Sequence, residues 1–412
     1  MIEFDRFQLN NGLKVIVHKD TSTAIVAVNL LYDVGARDET PDKTGFAHLF
    51  EHLMFGGSIN IPVYDEPLQM VGGENNAFTS NDMTNYYLTL PKNNIETAFW
   101  LESDRMLSLA FTEKSLEVQK NVVIEEFKQR YLNQPYGDVF LLLRPLAYKI
   151  HPYNWPTIGK EISHIENATM EDVKGFFKKF YAPNNAILVV AGDVDTQQVK
   201  ELAEKWFGEI PRGPEFIRQL PKEPEKLEPE YLTVEKDVPF DALYMAYHIC
   251  ARKAKQYYTA DLISDILSRG NSSRFHLELV KKKKIFSEIN AYVTGDFDEG
   301  LFIISGKVVE GFSIKQAEQA VFEEIEKLKL ELVEQNELDK VKNKVESSLA
   351  FSELSVSNKA MTLAYYELLG DAEMINQEIG KYMLVSPLEI KKLANEIFKG
   401  QNCSTLYYLS KK

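Results

Sequence analysis

His48 and His52 stand four residues apart in the run Gly45-Phe46-Ala47-His48-Leu49-Phe50-Glu51-His52-Leu53-Met54-Phe55-Gly56-Gly57, with Glu51 directly before the second histidine. In a helix, positions i and i+4 share a face, so both imidazoles can point at one metal ion. Glu51 follows His48 by three residues and can reach a water on that ion. This is the H-x-x-E-H order, the reverse of the H-E-x-x-H zinc motif. A zinc site with catalytic potential takes three protein ligands and keeps one position open, so a third donor must come from elsewhere. The stretch Val122-Val123-Ile124-Glu125-Glu126 offers two carboxylates. On a helix they are turned about 100° apart, and geometry alone does not choose between them.

The elements that must hold these groups follow from pattern and punctuation. Residues 7–18 read as two strands around the Asn11-Gly12 turn, and 24–32 as a third, rich in Val, Ile and Leu. Thr44 is the expected N-cap of the histidine helix and Gly56-Gly57 its end. Two strands are expected within 72–90 around a polar connection at 80–84, then helices over 95–107 and, capped by Thr112, over 113–132. A helix over 167–180, a strand over 185–192 and a helix over 197–207 close this half.

Pro211, Pro214, Pro221, Pro224 and Pro229 then mark an extended linker. Beyond it the pattern restarts, with Lys236-Asp237 preceding a strand over 242–250 as Lys19-Asp20 precedes 24–32. Helices near 257–267 and 274–284, strands near 288–294 and 301–308, a helical section over 314–398 broken at Gly370 and Pro387, and a strand over 405–409 follow. The expected fold class is α+β: two similar domains, each a mostly antiparallel sheet covered by helices, at 1–212 and 233–412 with a linker at 213–232.

Composition narrows the function. A length of 412 residues suits two domains, and 44% hydrophobic with 26% charged residues is globular. A net charge of −14 argues against a nucleic-acid partner. The run Lys281 to Lys284 reads as a solvated helix end. No apolar run is long enough to span a bilayer. The start Met1-Ile2-Glu3-Phe4-Asp5-Arg6 lacks a signal-peptide pattern, so the expected compartment is the cytoplasm, or the periplasm where a leader has been removed. Cys250 and Cys403 form no disulfide framework and suit a reducing compartment as buried thiols. The Asn-x-Ser/Thr matches at Asn167, Asn271 and Asn402 are then accidental.

The motifs together resemble the inverzincins of the pitrilysin and insulinase type, which include insulysin, the mitochondrial processing peptidase and bacterial relatives. The resemblance lies in His48-Leu49-Phe50-Glu51-His52-Leu53-Met54-Phe55, in Asn76-Ala77-Phe78-Thr79-Ser80 with Thr84-Asn85-Tyr86-Tyr87, and in Val122-Val123-Ile124-Glu125-Glu126. Ala191-Gly192-Asp193 and Ser272-Ser273-Arg274 also sit where the family has them, so it covers nearly the whole chain. It implies half of a clamshell peptidase in which His48, His52 and Glu126 hold Zn²⁺ and Glu51 is the general base. It further implies that Asn76, Ala77 and Phe78 contact an extended peptide added to the sheet edge.

Two departures qualify what the resemblance implies. The family has a glutamate seven residues before the third ligand, where this chain has Gln119, an uncharged neighbour for the ligand set. Active members also carry an Arg and a Tyr after the Ser-Ser-Arg motif, and ungapped alignment puts Val280 and Ser287 there. The resemblance therefore implies a zinc-bearing subunit of a heterodimer whose homologous partner chain supplies the Arg and Tyr. The alternative is a non-proteolytic structural or assembly subunit of the same fold. Such subunits generally lose parts of the metal motif, and every motif residue is present here.

Overall fold

Leu13 to Val17, Val26 to Tyr32 and Ala186 to Gly192 are apolar, β-branched-rich stretches of the first half. In the computed structural model, which describes residues 1–411, they lie side by side. The strands β1 (Asp5–Gln8), β2 (Lys14–Lys19), β3 (Ile25–Tyr32), β4 (Glu74–Thr79), β5 (Thr84–Pro91) and β6 (Ala186–Gly192) form one sheet in the order β1-β2-β6-β3-β5-β4. All pairs are antiparallel except β2–β6. β3 and β6 are buried almost throughout, as strands covered on both faces must be, whereas β4 alternates exposed and half-buried residues at the sheet edge. Asn29 and Asn85 exchange amide hydrogen bonds across β3–β5 at 2.9 and 2.8 Å, a satisfied buried pair that fixes the register.

The second half has β7 (Glu230–Lys236), β8 (Ala242–Ala251), β9 (Phe286–Val293), β10 (Glu299–Val308) and β11 (Cys403–Ser410) in the order β7-β11-β8-β10-β9. Its one parallel pair is β7–β11. Strand for strand this repeats β2-β6-β3-β5-β4, parallel pair included. The two halves thus share a topology that their sequences only hint at.

The helices, in chain order, are α1 (Phe46–Leu53), α2 (Asp65–Met70), α3 (Ile95–Leu107), α4 (Glu113–Phe127), α5 (Val139–Ala147), α6 (Ile162–Glu166), α7 (Met170–Phe180) and α8 (Thr196–Phe207). They continue with α9 (Gln256–Ser268), α10 (Ile314–Leu330), α11 (Gln335–Ser352), α12 (Val356–Leu369), α13 (Met374–Met383) and α14 (Pro387–Ile397). Thr112 caps α4 by accepting from Ser115 N, and the helix passes into a wider π turn over Lys128–Leu132. The span 274–284 is likewise a π turn, His276–Lys282, and not an ordinary helix. The sequence carries no clear signal for α2, which is short, or for α5, which contains Pro145. α9 follows β8 as α1 follows β3, and it buries Leu262, Ile263, Ile266 and Leu267. None of these helices is long and apolar enough to cross a membrane.

Two compact units emerge: Met1–Gln129 with Trp155–Leu220 and Ala350–Asn376, and Arg130–Asn154 with Pro221–Leu349 and the residues from Gln377 on. Each sheet is covered by a helix from a distant part of the chain. In the first unit α12 lies on β3 and β6, presenting the small residues Ala360 and Ala364 with Leu363. In the second, Val139, Leu143 and Ala147 make one face of α5, which lies on β8 and β11. The proline-rich stretch is fastened on either side of Pro221: Arg218 pairs with Asp38 and Asp33 in the first unit, and Glu223 accepts from the backbone N–H groups of Lys149, Ile150 and His151 in the second.

Beneath α1 lies a buried ion pair. Arg105 and Glu102 on α3 are almost wholly buried and joined by three hydrogen bonds of 2.9, 2.7 and 2.5 Å. The guanidinium carbon stands 4.4 Å from the Tyr86 ring centroid, and Tyr86 donates to Phe50 O in α1 at 3.3 Å. Arg105→Met strands the Glu102 charge in the interior and is expected to destabilise the fold by about 3–5 kcal/mol. The double variant with Glu102→Gln should recover part of that loss. Urea unfolding midpoints check both.

Candidate metal centre

α1 is only eight residues long, so its place depends on how its start is held. The N-cap is Gly45, at φ +88°, and a side chain there would meet Ile158 O at 2.6 Å. Thr44, the expected cap, turns away: its hydroxyl lies 2.8 Å from His164 Nδ1 and accepts from Lys160 N at 2.7 Å. Glu39 takes over the capping, accepting from Gly45 N and Ala47 N, each at 2.9 Å, and from Trp155 Nε1 at 3.0 Å. Burial pushes the Glu39 carboxyl up to about 8, while the three N–H donors pull the other way. Sequence reasoning missed Glu39, because it sits in a polar loop with no local link to the helix it caps.

With α1 fixed, the two imidazoles meet nearly edge-on, with ring centroids 4.8 Å apart. α4 packs against α1 and brings Glu126 to both: Oε2 lies 3.5 Å from His48 Nε2 and 3.4 Å from His52 Nε2. All three donor atoms fall within 4.8 Å of one another. A tetrahedral zinc ion with bonds of about 2.0–2.1 Å keeps its ligands about 3.4 Å apart, so two imidazoles and a carboxylate at these separations fit it. Glu125 points elsewhere, into solvent, paired with Lys128 at 2.7 Å. Gln119 lies two turns before Glu126 on the same face of α4, half-buried.

Glu51 lies in α1 beside His52, and its carboxylate accepts from Thr79 Oγ1 at 2.6 Å. Thr79 ends β4, so the carboxylate is tied to the edge strand. Along that strand Asn76 and Phe78 are exposed and Ala77 is half-buried. Ala77 N donates to Asn76 Oδ1 at 2.8 Å. Among the described residues no strand pairs with the outer edge of β4, which leaves a row of backbone groups for an extended chain.

In the second unit, Val280 lies on the π turn, packed against the apolar core. Ser287 is exposed on β9, with its hydroxyl 3.4 Å from Lys307 O. Neither side chain offers a guanidinium or a phenol. Arg274 of the Ser-Ser-Arg motif is engaged with Glu337 through two hydrogen bonds of 2.9 and 2.7 Å.

Comparison with known proteins bears on this geometry. Residues 14–161 match the family model described as insulinase (peptidase family M16), and residues 167–345 match that of the peptidase M16 inactive domain. The chain is 31% identical over 405 residues to the zinc protease PqqE of Helicobacter pylori, covering 97% of this chain and 91% of that protein. It is 25% identical over 397 residues to the uncharacterized zinc protease YmxG of Bacillus subtilis, covering 95% of each. The crystal structure of a protease from Helicobacter pylori superposes with a TM-score of 0.93 at 30% identity, over 99% of this chain and 100% of that one.

Proposed function

The chain belongs to the insulinase family of peptidases, peptidase family M16, and from that premise we propose that it is a zinc-dependent endopeptidase acting on extended peptides or unfolded polypeptides. The observation that carries the reading is the convergence of His48, His52 and Glu126 on one point, with Glu51 beside them and an open sheet edge alongside. A structural zinc site has no need of a carboxylate base next to an open position.

Zinc, when bound by these three residues, supplies the Lewis acidity that polarises a scissile carbonyl and acidifies a water. The chain's own residues do the rest. An extended peptide adds to β4 alongside Asn76, Ala77 and Phe78, through main-chain hydrogen bonds that demand extension but little particular sequence. To open its N–H to the peptide, Ala77 must give up the Asn76 side chain. Glu51 takes the proton of the attacking water and passes it to the leaving amine nitrogen. Gln119 can hydrogen-bond but carries no charge, so its influence on the ligand set is weak.

Val280 and Ser287 support a division of labour in which this chain bears the metal and a homologous partner chain supplies the Arg and Tyr that grip the substrate carbonyl in a closed chamber. The purified chain alone is expected to cleave an internally quenched peptide slowly, to stop on addition of a chelator, and to speed up when the partner is added. Fast cleavage by the lone chain removes the partner from the account. Cleavage that persists in chelator removes the metal.

A further inference from the structure

Glu51 is anchored outside its own helix. Thr79, which donates to its Oε2 at 2.6 Å, is half-buried and pairs with Thr84 of β5. Immediately past Thr79 the chain is pinned: Ser80 N donates to Met83 O at 2.8 Å, Ala36 N to Ser80 O at 3.2 Å, and Arg37 N to Asn81 O at 2.9 Å. Before Thr79 lie Asn76, Ala77 and Phe78, on the open edge. The threonine therefore stands between a fixed turn and the stretch of strand that a peptide would cover.

We propose that Thr79 is a positioning residue that ties the general base to the substrate strand, so that peptide pairing along β4 sets the aim of the Glu51 carboxylate. The proposal rests on the peptidase reading of the metal centre. A glutamate's last torsion is broad, and the carboxylate of an unanchored base swings. A fixed donor on Oε2 restricts that freedom. The proton lost by water, as its oxygen bonds to the carbonyl carbon, goes to Glu51; it then moves to the amine nitrogen as the C–N bond breaks. Thr79 keeps its own proton throughout and acts only through Glu51. A β-branched residue suits the task, because its stiff χ1 within a strand carries any ordering of β4 directly into the hydroxyl. An ångström of misplacement at such a centre costs about a hundredfold in rate.

The test compares the full chain with Thr79→Ser and Thr79→Val, reading zinc content, kcat and KM on quenched peptides of increasing length. Zinc content is expected to stay constant in all three. Thr79→Val, which keeps the shape and loses the donor, should lower kcat about 10- to 100-fold with KM within about twofold, and its kcat should no longer rise with peptide length. Thr79→Ser should retain most of kcat. The proposal is overturned if Thr79→Val keeps the wild-type kcat, if it loses zinc, or if Thr79→Ser is equally impaired. Zinc-dependent cleavage by the wild type alongside an unimpaired Thr79→Val sinks this proposal alone. A zinc-loaded wild type that cleaves no peptide even beside its partner chain sinks the peptidase reading with it.

Discussion

Glu51→Gln is expected to leave zinc bound at its wild-type level and to lower kcat about 10²- to 10⁴-fold. Glutamine keeps the length of the side chain and can still accept from Thr79 Oγ1, so α1, the two imidazoles and β4 should stay where they are. What it loses is the ability to take a proton. KM should change little, because the proposed peptide pairing along β4 would use backbone groups and not this carboxylate. Metal analysis and steady-state kinetics on the same preparation give the result directly. An active Glu51→Gln variant contradicts the role assigned to Glu51, and a zinc-free one shows that the residue serves the metal instead.

The second large effect is expected at the adjacent carboxylates of α4. Glu126→Gln replaces an anionic donor, within 3.5 Å of both imidazole Nε2 atoms, by a neutral amide, and should release zinc and with it all hydrolysis. Glu125→Gln removes only a solvent-exposed pair with Lys128, worth at most about 1 kcal/mol, and should leave zinc and activity unchanged. The contrast controls for the general effect of losing a negative charge from α4, since each variant loses one. Zinc retained by Glu126→Gln and lost from Glu125→Gln would exchange their roles.

Much of the frame around this centre was legible because it is local. The four-residue spacing of His48 and His52, the Thr112 cap, and the alternating strands at 74–79 and 84–91 all depend on neighbours in sequence. Glu125 and Glu126 mark where local reasoning stops, since the bearing of α4 on α1 decides which one faces the histidines. Glu39 and Thr79 lie further out of reach. Glu39 stands seven residues before the helix it caps, and Thr79 meets Glu51 across 28 residues, so nothing in their immediate surroundings announces either contact.

The same limit explains the helices. Periodicity in α12 reveals that one face is buried, but any sheet with an apolar face could receive it, and it settled on a sheet built from distant sequence. The repeat was faint for a related reason. Topology is kept by burial and register, which many apolar residues satisfy equally well, so β2-β6-β3-β5-β4 and β7-β11-β8-β10-β9 correspond in space with little identity between them.

One zinc ion on His48, His52 and Glu126 is expected to make this chain a peptidase. Titrating zinc into metal-free protein, with cleavage of an extended quenched peptide as the readout, tests it most directly. Cleavage should rise in proportion to added zinc and level off at one ion per chain. Saturation at another stoichiometry, or a chain that fills with one zinc and cleaves nothing even beside its partner, would contradict it.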